Sequence, residues 1–415
     1  MKEHQNLFRD LQEDFRKMKK NLLVAQSGGP TAAINATLAG VIKQAIKEEQ
    51  IDQVYGACYG IQGVLEQKFV NLTEKVDTEE KLEKLKRTPA AALGSCRFKL
   101  NDIKEDDSQY QEIVDILHKM NIGYFVYIGG NDSMDTVAKL SAYCKEKGVE
   151  DIKVIGGPKT IDNDLALTDH TPGYGSAARF IAASTQEVGE DVKSLPIHVC
   201  IMEAMGRNAG WITAASALAR RKQGDAPHLI YLPERNFNED EFLEDVSRLQ
   251  KKQGGVVVLV SEGLHDANGE SIVPPIFKSE RAVYYGDVSS HLANLVVKKL
   301  GVKARSEKPG LCGRASVALQ SPVDREEARQ AGTVALRSAV EGNSGVMVGF
   351  ERVPGTVYQM KTKLVPIKEV MLYERKMPDN FINERGNDVT QEFVDWCRPL
   401  IGDPLPEFLN FKDYL

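Results

Sequence analysis

A short apolar run, followed at once by glycine or an acidic turn and then by polar residues, recurs along the chain. The runs span residues 22–27, 124–128, 154–155 and 256–261. Apolar runs that are rich in Val and Ile and bounded by glycine are typical of buried parallel strands. Stretches with helical spacing alternate with them, at residues 32–47, 132–147 and 174–187. This alternation predicts a doubly wound α/β fold with mostly parallel sheets, in which ligands bind beyond the carboxyl ends of the strands.

Three further segments are recognisable by their composition. Apolar residues recur at helical spacing from Leu7 to Met18 and predict an amphipathic helix over residues 1–20, packed on the body or on a second subunit. The run 73–87 is rich in Glu and Lys and predicts a solvated helix. The last stretch, residues 371–415, carries several prolines and aromatics, and we interpret it as an appendage.

Length and charge narrow the classes of function. With 415 residues the chain has room for two or more domains. The formal net charge of −6 argues against a general nucleic-acid or membrane binder, because both need a basic face. The sequence shows no apolar signal core, no segment long enough to span a bilayer, and no CxxC pair among its six cysteines. We therefore expect a cytoplasmic protein with free thiols.

Two glycine turns are candidate phosphate sites. Gly28 and Gly29 follow the first strand, where glycine lets the backbone approach a phosphate and the next helix offers free N–H groups. A tight strand-to-helix turn without a ligand explains them equally well. Gly129 and Gly130 repeat the geometry, with Asn131, Asp132 and Ser133 following. Helix capping by these polar residues is the alternative, and it can coexist with phosphate or metal binding.

The segment 157–164, Gly-Pro-Lys-Thr-Ile-Asp-Asn-Asp, is the most specific in the chain. If it is extended, Asp162 and Asp164 project to one side, because side chains alternate along a strand. One acid would then take a proton from a hydroxyl while the other helps to hold hydrated Mg²⁺. Lys159 can neutralise a phosphate. A loop stabilised by Asn and Asp side chains is the alternative, but it leaves the preceding Pro-Lys-Thr-Ile unexplained.

Two weaker signals follow later strands. Arg207, after Met205 and Gly206, would stand over a helix N-terminus and could clamp a phosphate, although a surface arginine is as good an interpretation. Glu262 could bind sugar hydroxyls, although a solvated loop acid is the simpler explanation. The run 173–178 fits the dinucleotide pattern G-x-G-x-x-A. It does not follow a strand, so a nicotinamide enzyme is rejected.

The joint order of these segments resembles the phosphofructokinase family over residues 21–351. The resemblance implies two Rossmann-like lobes with the active site in the cleft between them. The donor lobe would be residues 21–165, completed by part of 312–370, and the sugar-phosphate lobe would be residues 166–311. It also implies an Mg²⁺-dependent phosphotransferase of glycolysis and gluconeogenesis that forms a homodimer or homotetramer.

The resemblance assigns roles to matching residues. Gly28 would contact the donor phosphates, and Arg97, in Leu-Gly-Ser-Cys-Arg-Phe, would approach the transferring phosphate. Asp162 would be the base for the 1-hydroxyl of fructose 6-phosphate, with Thr160 and Asp164 supporting substrate and metal, and Asn131 near the metal. The substrate-binding residues implied are Thr160, Ile161, Asp162, Met205, Gly206, Arg207, Glu262, Arg305 and Arg314. Two positions depart from the family pattern around the 6-phosphate: Leu311 replaces His or Tyr, and His198 replaces an arginine that serves a neighbouring subunit. The tail residues 373–375 are another possible source of contacts.

Asn131-Asp132 and Lys159 resemble the pyrophosphate-dependent branch of the family, in which the donor site comprises Gly28, Gly29, Gly130, Asp132 and Lys159. Asp132 would place bulk and negative charge where a nucleotide needs room, and Lys159 would neutralise a diphosphate. Three alternative functions stay open. They are ATP as the donor, another acceptor such as sedoheptulose 7-phosphate, and a silent regulatory subunit that only binds sugar phosphate.

Overall fold

The computed structural model describes residues 19–278, 283–371 and 373–411. The helix predicted over residues 1–20 lies outside the described residues, except that Lys20 already begins the first strand. Among the described residues, no helix is long and apolar enough to cross a membrane.

The described strands are β1 (Lys20–Gln26), β2 (Ile51–Ala57), β3 (Phe69–Asn71), β4 (Ile122–Gly129), β5 (Lys153–Pro158), β6 (His198–Ala204), β7 (Leu229–Tyr231), β8 (Val256–Ser261), β9 (Pro275–Lys278), β10 (Val283–Tyr285), β11 (Lys303–Glu307), β12 (Val346–Arg352) and β13 (Met360–Pro366). The described α-helices are α1 (Ile34–Ala45), α2 (Gly60–Leu65), α3 (Leu72–Lys75), α4 (Glu79–Lys86), α5 (Ser108–Lys119), α6 (Asn131–Glu146), α7 (Tyr174–Ser194), α8 (Trp211–Ala215), α9 (Glu239–Gln253), α10 (Val288–Leu300), α11 (Leu311–Ala315), α12 (Pro322–Val340), α13 (Ile367–Val370) and α14 (Gln391–Cys397). Short 3₁₀ helices span Ser216–Ala219, Asp379–Phe381 and Arg398–Ile401.

Two sheets carry the fold. The larger has seven strands in the order β13-β12-β5-β4-β1-β2-β3, parallel except for the antiparallel edge strands β13 and β3. The smaller has the order β11-β6-β8-β7 and is parallel throughout. Strands β9 and β10 form a separate antiparallel pair. The predicted α/β class with mostly parallel sheets is confirmed.

Strand β1 shows why a continuous apolar run predicts a parallel strand. Leu23 and Ala25 belong to the core on one face of the sheet, and Leu22 and Val24 belong to the core on the other. All four are 0% exposed, so both faces of the strand are covered. Because side chains alternate along a strand, a strand covered on both faces has a continuous apolar run instead of alternating apolar and polar residues.

The chain divides into two compact units. The first comprises residues up to Gly173 together with Arg325–Arg375, and the second comprises Tyr174–Asp324 and the residues from Lys376 onward. The sequence places the corresponding boundaries after residues 165 and 311 and at residue 371. From Lys376 onward the tail is part of the second unit, in which the ring of Trp396 lies 5.0 Å from that of Trp211.

The solvated helix predicted over residues 73–87 is two helices, α3 and α4. The chain leaves helical conformation between them, and the hydroxyl of Thr78 accepts a hydrogen bond from the Lys81 amide at 3.3 Å. A threonine in this position caps a new helix rather than continuing an old one. The Glu- and Lys-rich composition, which predicts exposure, does not reveal this break.

A buried ionic cluster lies in the first unit. His170 contacts Asp169 at 2.8 Å through Nδ1 and Glu327 at 2.7 Å through Nε2. Tyr358 donates to Glu327 at 2.6 Å, and Arg352 contacts Asp169 at 3.1 Å. Burial alone would lower the pKa of His170, but the hydrogen bonds to the two carboxylates raise it to about 9. The imidazole is therefore protonated at neutral pH.

We predict that this cluster makes stability depend on pH. Because the folded pKa of His170 lies above its ordinary value, the stabilisation is complete below pH ~6.5 and is lost as the pH rises through ~9. Denaturant unfolding should show about 2–3 kcal/mol of His170-dependent stability disappearing between pH 6.5 and 9.5. The variant His170→Gln should lack this component. His118→Gln, a surface histidine that contacts Asp151 at 3.2 Å, is the control and should behave like the wild type. Parallel pH curves for all three proteins would contradict the account.

Candidate active site

The first glycine loop is joined to the segment that carries Arg97. Gly28 follows β1 with φ +76°, a conformation that favours glycine. Its amide donates to the carbonyl of Cys96 at 3.0 Å, and Ser95 Oγ donates to the carbonyl of Gly28 at 2.6 Å. Arg97 itself is exposed and has no hydrogen bond or ion pair to any described residue. Its guanidinium is free to bind an anion beside this loop.

Lys159 connects the first glycine loop to the second. Its amide donates to the carbonyl of Gly129 at 3.0 Å, which fixes it at the end of β5. Its ammonium donates to the carbonyl of Gly29 at 2.6 Å, and the side chain is 2% exposed. A Cβ placed on Gly28 would lie 3.3 Å from this ammonium. The structure thus puts a positive charge directly under the first glycine loop.

The second loop forms the start of α6. Gly130 is the N-cap of this helix and has no capping side chain, so Asn131, Asp132 and Ser133 lie inside the helix rather than cap it. A Cβ on Gly129 would meet Ser133 Oγ at 1.8 Å, whereas one on Gly130 would find nothing closer than 3.5 Å. Packing therefore requires glycine at 129. It does not require glycine at 130, which leaves that position for ligand approach.

Asp132 lies in the first turn of α6 and projects into solvent. Its carboxylate contacts the ammonium of Lys99 at 2.9 Å, and both side chains are largely exposed. A negative charge is favourable at a helix N-terminus, while an exposed ion pair contributes little. Asp132 thus lies in the exposed first turn of α6, and its partner Lys99 was not predicted. No local sequence signal links the two residues.

The loop 160–164 is not extended, and the simple alternation argument for its acids is wrong. Asn163 has φ +56° and is fully buried, and its Oδ1 accepts a hydrogen bond from the Thr171 amide at 3.0 Å. Thr160 Oγ1 accepts from the Asp162 amide at 3.1 Å, which tightens the turn further. Ile161 between them is also buried. The turn itself keeps the two acids close.

Asp162 and Asp164 are electrostatically coupled. Burial, and next the charge of Asp162, raise the pKa of Asp164 to about 6. One oxygen of Asp164 accepts from the Asn131 amide at 2.8 Å, and the other is buried with no hydrogen-bond partner among the described residues. A buried acceptor next to a second negative charge is a place where a cation is stabilising.

These residues fit the Mg²⁺ that the family resemblance implies. The ion prefers oxygen ligands and usually takes one or two carboxylates, with water and substrate phosphates completing its shell. Asp164 provides an unsatisfied carboxylate oxygen, and Asn131 lies against it. Within the described ranges, no group of three His, Cys, Asp or Glu residues is placed to hold a metal. Asp164 and Asn131 therefore suit an ion whose remaining ligands are water and substrate phosphates.

Arg375 is a neighbour of this loop that the motifs did not assign. Its amide donates to the carbonyl of Asp164 at 2.8 Å, and its guanidinium reaches the carbonyl of Asn163 at 3.5 Å. The charge of Glu374 also contributes to the raised pKa of Asp164, after burial and Asp162. The tail segment 373–375, noted in the sequence only as a possible source of contacts, therefore lies against the loop of acids.

In the second unit, the turns after β6 and β8 form one assembly. Gly206 has φ +117°, and its amide donates to Glu262 Oε1 at 3.2 Å. Ser261 Oγ donates to the carbonyl of Gly206 at 2.6 Å. A Cβ on Gly263 would lie 1.7 Å from the carbonyl of Arg207, so this glycine is required by the close approach of the two turns. The structure thus places Gly206, Arg207 and Glu262 close together, with Met205 directly before them in the chain.

The basic residues of the second unit are placed less uniformly. Arg207 is exposed, and its guanidinium lies 5.8 Å from the ring of Tyr285, a contact that was not predicted. Arg305 is exposed on β11, and Arg314 is half-buried on the short helix α11. His198 is buried at the start of β6, where burial, and next the charge of Arg305, lower its pKa. Leu311 is 63% exposed.

Comparison with known proteins identifies the family of this chain. The phosphofructokinase family model matches residues 21–352. This chain belongs to the phosphofructokinase family. The resemblance seen in its motifs is confirmed, and so is the predicted extent of about 330 residues, since 21–351 was expected and 21–352 is matched.

Three relatives place the chain within the phosphofructokinases. A Rhodospirillum rubrum protein named pyrophosphate–fructose 6-phosphate 1-phosphotransferase is 41% identical, covering 95% of this chain and 97% of the relative. The crystal structure of a pyrophosphate-dependent phosphofructokinase from Nitrosospira multiformis matches with a TM-score of 0.83 and 35% identity, over 94% of each chain. A sulfofructose kinase from Alkalicoccus urumqiensis is 32% identical, covering 92% of this chain and 95% of the relative. The Rhodospirillum and Alkalicoccus relatives therefore differ in the acceptor they are named for.

We predict that Asp164 lowers the stability of this phosphofructokinase when Mg²⁺ is absent. A carboxyl whose folded pKa is raised destabilises the fold above that pKa, and the penalty vanishes as the pH falls toward its ordinary value near 4. Asp164→Asn should therefore unfold with a free energy about 1–3 kcal/mol higher than the wild type at pH 8 in EDTA. The difference should shrink toward pH 4.5. Asp135→Asn is the control and should show no such gain. A less stable Asp164→Asn protein at pH 8 would refute the electrostatic account.

Proposed function

We propose that the chain catalyses the reversible, Mg²⁺-dependent transfer of a phosphoryl group from pyrophosphate to the 1-hydroxyl of fructose 6-phosphate. The products are fructose 1,6-bisphosphate and phosphate. The observation that carries the proposal is the presence of two charges at the two glycine loops. A buried Lys159 ammonium lies at the first loop, and an exposed Asp132 carboxylate lies at the second. The names of the Rhodospirillum and Nitrosospira relatives support the same donor and, in the first case, the same acceptor.

The two charges favour a short donor. The Lys159 ammonium, 2.6 Å from the carbonyl of Gly29, adds positive potential where donor phosphates approach the glycine backbone. Asp132, in the first turn of α6, adds negative charge and bulk beside Gly130. A nucleotide needs additional space and carries a further phosphate, so it meets repulsion that a diphosphate avoids. Phosphoryl transfer depends mainly on positioning and charge stabilisation, so such changes can redirect the choice of donor.

The side chains of the first unit account for the transfer step. Arg97 and Lys159 stabilise negative charge on the transferring phosphoryl group. Asp162 accepts the proton of the 1-hydroxyl as the oxygen attacks phosphorus in line, while the bond to the leaving phosphate breaks. In the reverse direction Asp162 returns the proton to the sugar oxygen. Thr160 supports the substrate and orients Asp162 by accepting its amide hydrogen at 3.1 Å.

Asp164 and Asn131 would hold Mg²⁺. When bound, the ion neutralises phosphate charge and polarises the phosphorus–oxygen bonds. The unsatisfied oxygen of Asp164 and its pKa near 6 support this assignment, because both reflect negative charge that the protein alone does not compensate. Deprotonated Asp164 is required, so metal-dependent activity should weaken as the pH falls below ~6.

The acceptor is held by the second unit in this proposal. Met205, Gly206, Arg207 and Glu262 bind the sugar, and Arg305 and Arg314 bind its 6-phosphate. The exposed Leu311 and the buried His198 remove two polar groups expected around that phosphate. A related acceptor, such as sedoheptulose 7-phosphate or the acceptor of the sulfofructose kinase relative, is therefore the second candidate.

We further propose that the enzyme is a homodimer or homotetramer in the reducing cytoplasm. Ile276, Phe277 and Tyr284 expose large apolar surfaces on strands β9 and β10, and such surfaces are typical of protein interfaces. All six cysteines are free. Light scattering of the purified protein measures the oligomeric state directly.

The variant Asp162→Ser tests the proposed base. Loss of a general base should lower the turnover number with pyrophosphate and fructose 6-phosphate by roughly 10²–10⁴-fold, with much smaller changes in either KM. Asp169→Ser is not a suitable control, because Asp169 belongs to the buried His170 cluster. The surface variant Asp106→Ser in the same unit is suitable and should keep wild-type turnover. A near-native rate for Asp162→Ser would remove Asp162 from the mechanism.

The variant Asp132→Gly tests donor discrimination. Removing the carboxylate and its Cβ should raise the ratio of kcat/KM for ATP to kcat/KM for pyrophosphate by about tenfold or more, equivalent to ~1.4 kcal/mol. Asp132→Asn keeps the bulk without the charge and separates repulsion from steric exclusion. Asp135→Gly, one turn further along α6, is the control for helix weakening. An unchanged ratio in Asp132→Gly would exclude this residue as a donor-selecting element.

A further inference from the structure

A buried carboxylate lies beneath the acceptor-binding turn of the second unit. Glu203 is near the end of β6, two residues before Met205, and is 2% exposed. Its Oε2 accepts hydrogen bonds from the amide of Ser289 at 2.9 Å and from the Ser289 hydroxyl at 3.2 Å. Ser289 is the second residue of α10, so Glu203 satisfies an amide that the helix itself leaves free. The helix N-terminus also favours this negative charge.

The other oxygen of Glu203 is paired with Lys308. The Lys308 ammonium lies 2.8 Å from Glu203 Oε1 and 2.5 Å from Asp287 Oδ1. Asp287 is the N-cap residue of α10 but makes no side-chain capping bond, which leaves its carboxylate for Lys308. Because Glu203 is buried, removing the lysine would leave a desolvated charge with reduced compensation. The ion pair between Glu203 and Lys308 therefore stabilises the local conformation of the segments that carry these residues.

Lys308 occupies a particular place in the chain. It lies in the segment 305–314, between the two arginines proposed to bind the sugar 6-phosphate. Glu203, in turn, leads directly into the turn that carries Arg207. One ion pair thus fixes the start of the Arg207 turn, the start of α10 and the segment between Arg305 and Arg314. The ammonium already has two carboxylate partners, so it is poorly suited to bind a phosphate itself.

We propose that Glu203 and Lys308 are positioning residues for the acceptor, and that they hold Arg314 and Arg207 in the arrangement that binds the sugar phosphate. This inference rests on the proposed function, because the roles of the arginines come from it. The ion pair supplies order in a segment where Leu311 offers no polar contact. The proposal predicts that binding of the acceptor depends on Lys308 and that binding of the donor does not.

Steady-state kinetics of Lys308→Met and Lys308→Arg in the full-length protein test the proposal. Lys308→Met should raise KM for fructose 6-phosphate by about tenfold, leave KM for pyrophosphate within about twofold, and lower kcat much less. Lys308→Arg keeps the charge and should recover most of the affinity. Lys303→Met is the matched control, because Lys303 is an exposed lysine at the start of β11, the strand that Lys308 directly follows. Equal changes in both KM values, or no change in the fructose 6-phosphate KM, would overturn the proposal.

Hydrogen exchange provides a readout that does not require activity. Amides of residues 310–316 should exchange at least about tenfold faster in Lys308→Met than in the wild type or in Lys303→Met. The double variant Glu203→Gln/Lys308→Met removes the unpaired buried charge, so it should recover thermal stability but not the fructose 6-phosphate KM. If the wild type shows no activity with fructose 6-phosphate, the proposed function fails, and exchange still decides whether Lys308 orders the segment. Unchanged exchange would overturn the inference.

Discussion

The hydrogen bond from the Lys159 ammonium to the carbonyl of Gly29 is the interaction on which the candidate donor site depends. Lys159 is 2% exposed, and its amide is bonded to the carbonyl of Gly129, so one residue connects the ends of three neighbouring strands, β1, β4 and β5. A buried ammonium must be satisfied by nearby oxygens, and here the glycine loop provides one. The position of the ammonium also restricts which residue can stand at position 28 of the loop. Glycine at 28 is favoured by its positive φ, and a Cβ there would make a tight contact of 3.3 Å with the ammonium.

The first unit brings two acids close together at the candidate site. Asp162 and Asp164 lie in one tight turn, and the pKa of Asp164 is raised mainly because it is buried and next because Asp162 is close. Such an arrangement is unfavourable for folding and favourable for a site that takes up a cation and a polyanion together. In the buried cluster around His170, by contrast, the carboxylates are paired with positive charges. There, two carboxylates surround one imidazolium, with Arg352 at the side, and the result is stability rather than reactivity.

Sequence patterns predict the features that depend on neighbouring positions in the chain. They do not predict contacts between residues that are distant in the sequence. The apolar runs predict β1, β4, β5 and β8 because strands buried on both faces need continuous apolar stretches. The order of glycine turns and acids identifies the family. The conformation of the loop 160–164 was not predictable, because it depends on Asn163 adopting a left-handed φ and accepting a hydrogen bond from Thr171.

Long-range pairs account for the remaining differences. Lys99 with Asp132, Arg375 with Asp164, Tyr285 with Arg207 and Lys308 with Glu203 join residues separated by tens to hundreds of positions. No periodicity or motif in a single sequence specifies which exposed lysine or arginine meets which acid. Within each unit, these contacts lie beside residues that the motifs single out, and tertiary packing rather than local order brings them there.

The donor preference of the wild-type enzyme is the most direct test of the account. Initial rates with fructose 6-phosphate should be measured with pyrophosphate and with ATP at matched Mg²⁺, and compared as kcat/KM. The charges at Lys159 and Asp132 predict a ratio of at least about 10² in favour of pyrophosphate, since each charge is expected to contribute about a factor of ten. Strong turnover with ATP and none with pyrophosphate would contradict the account.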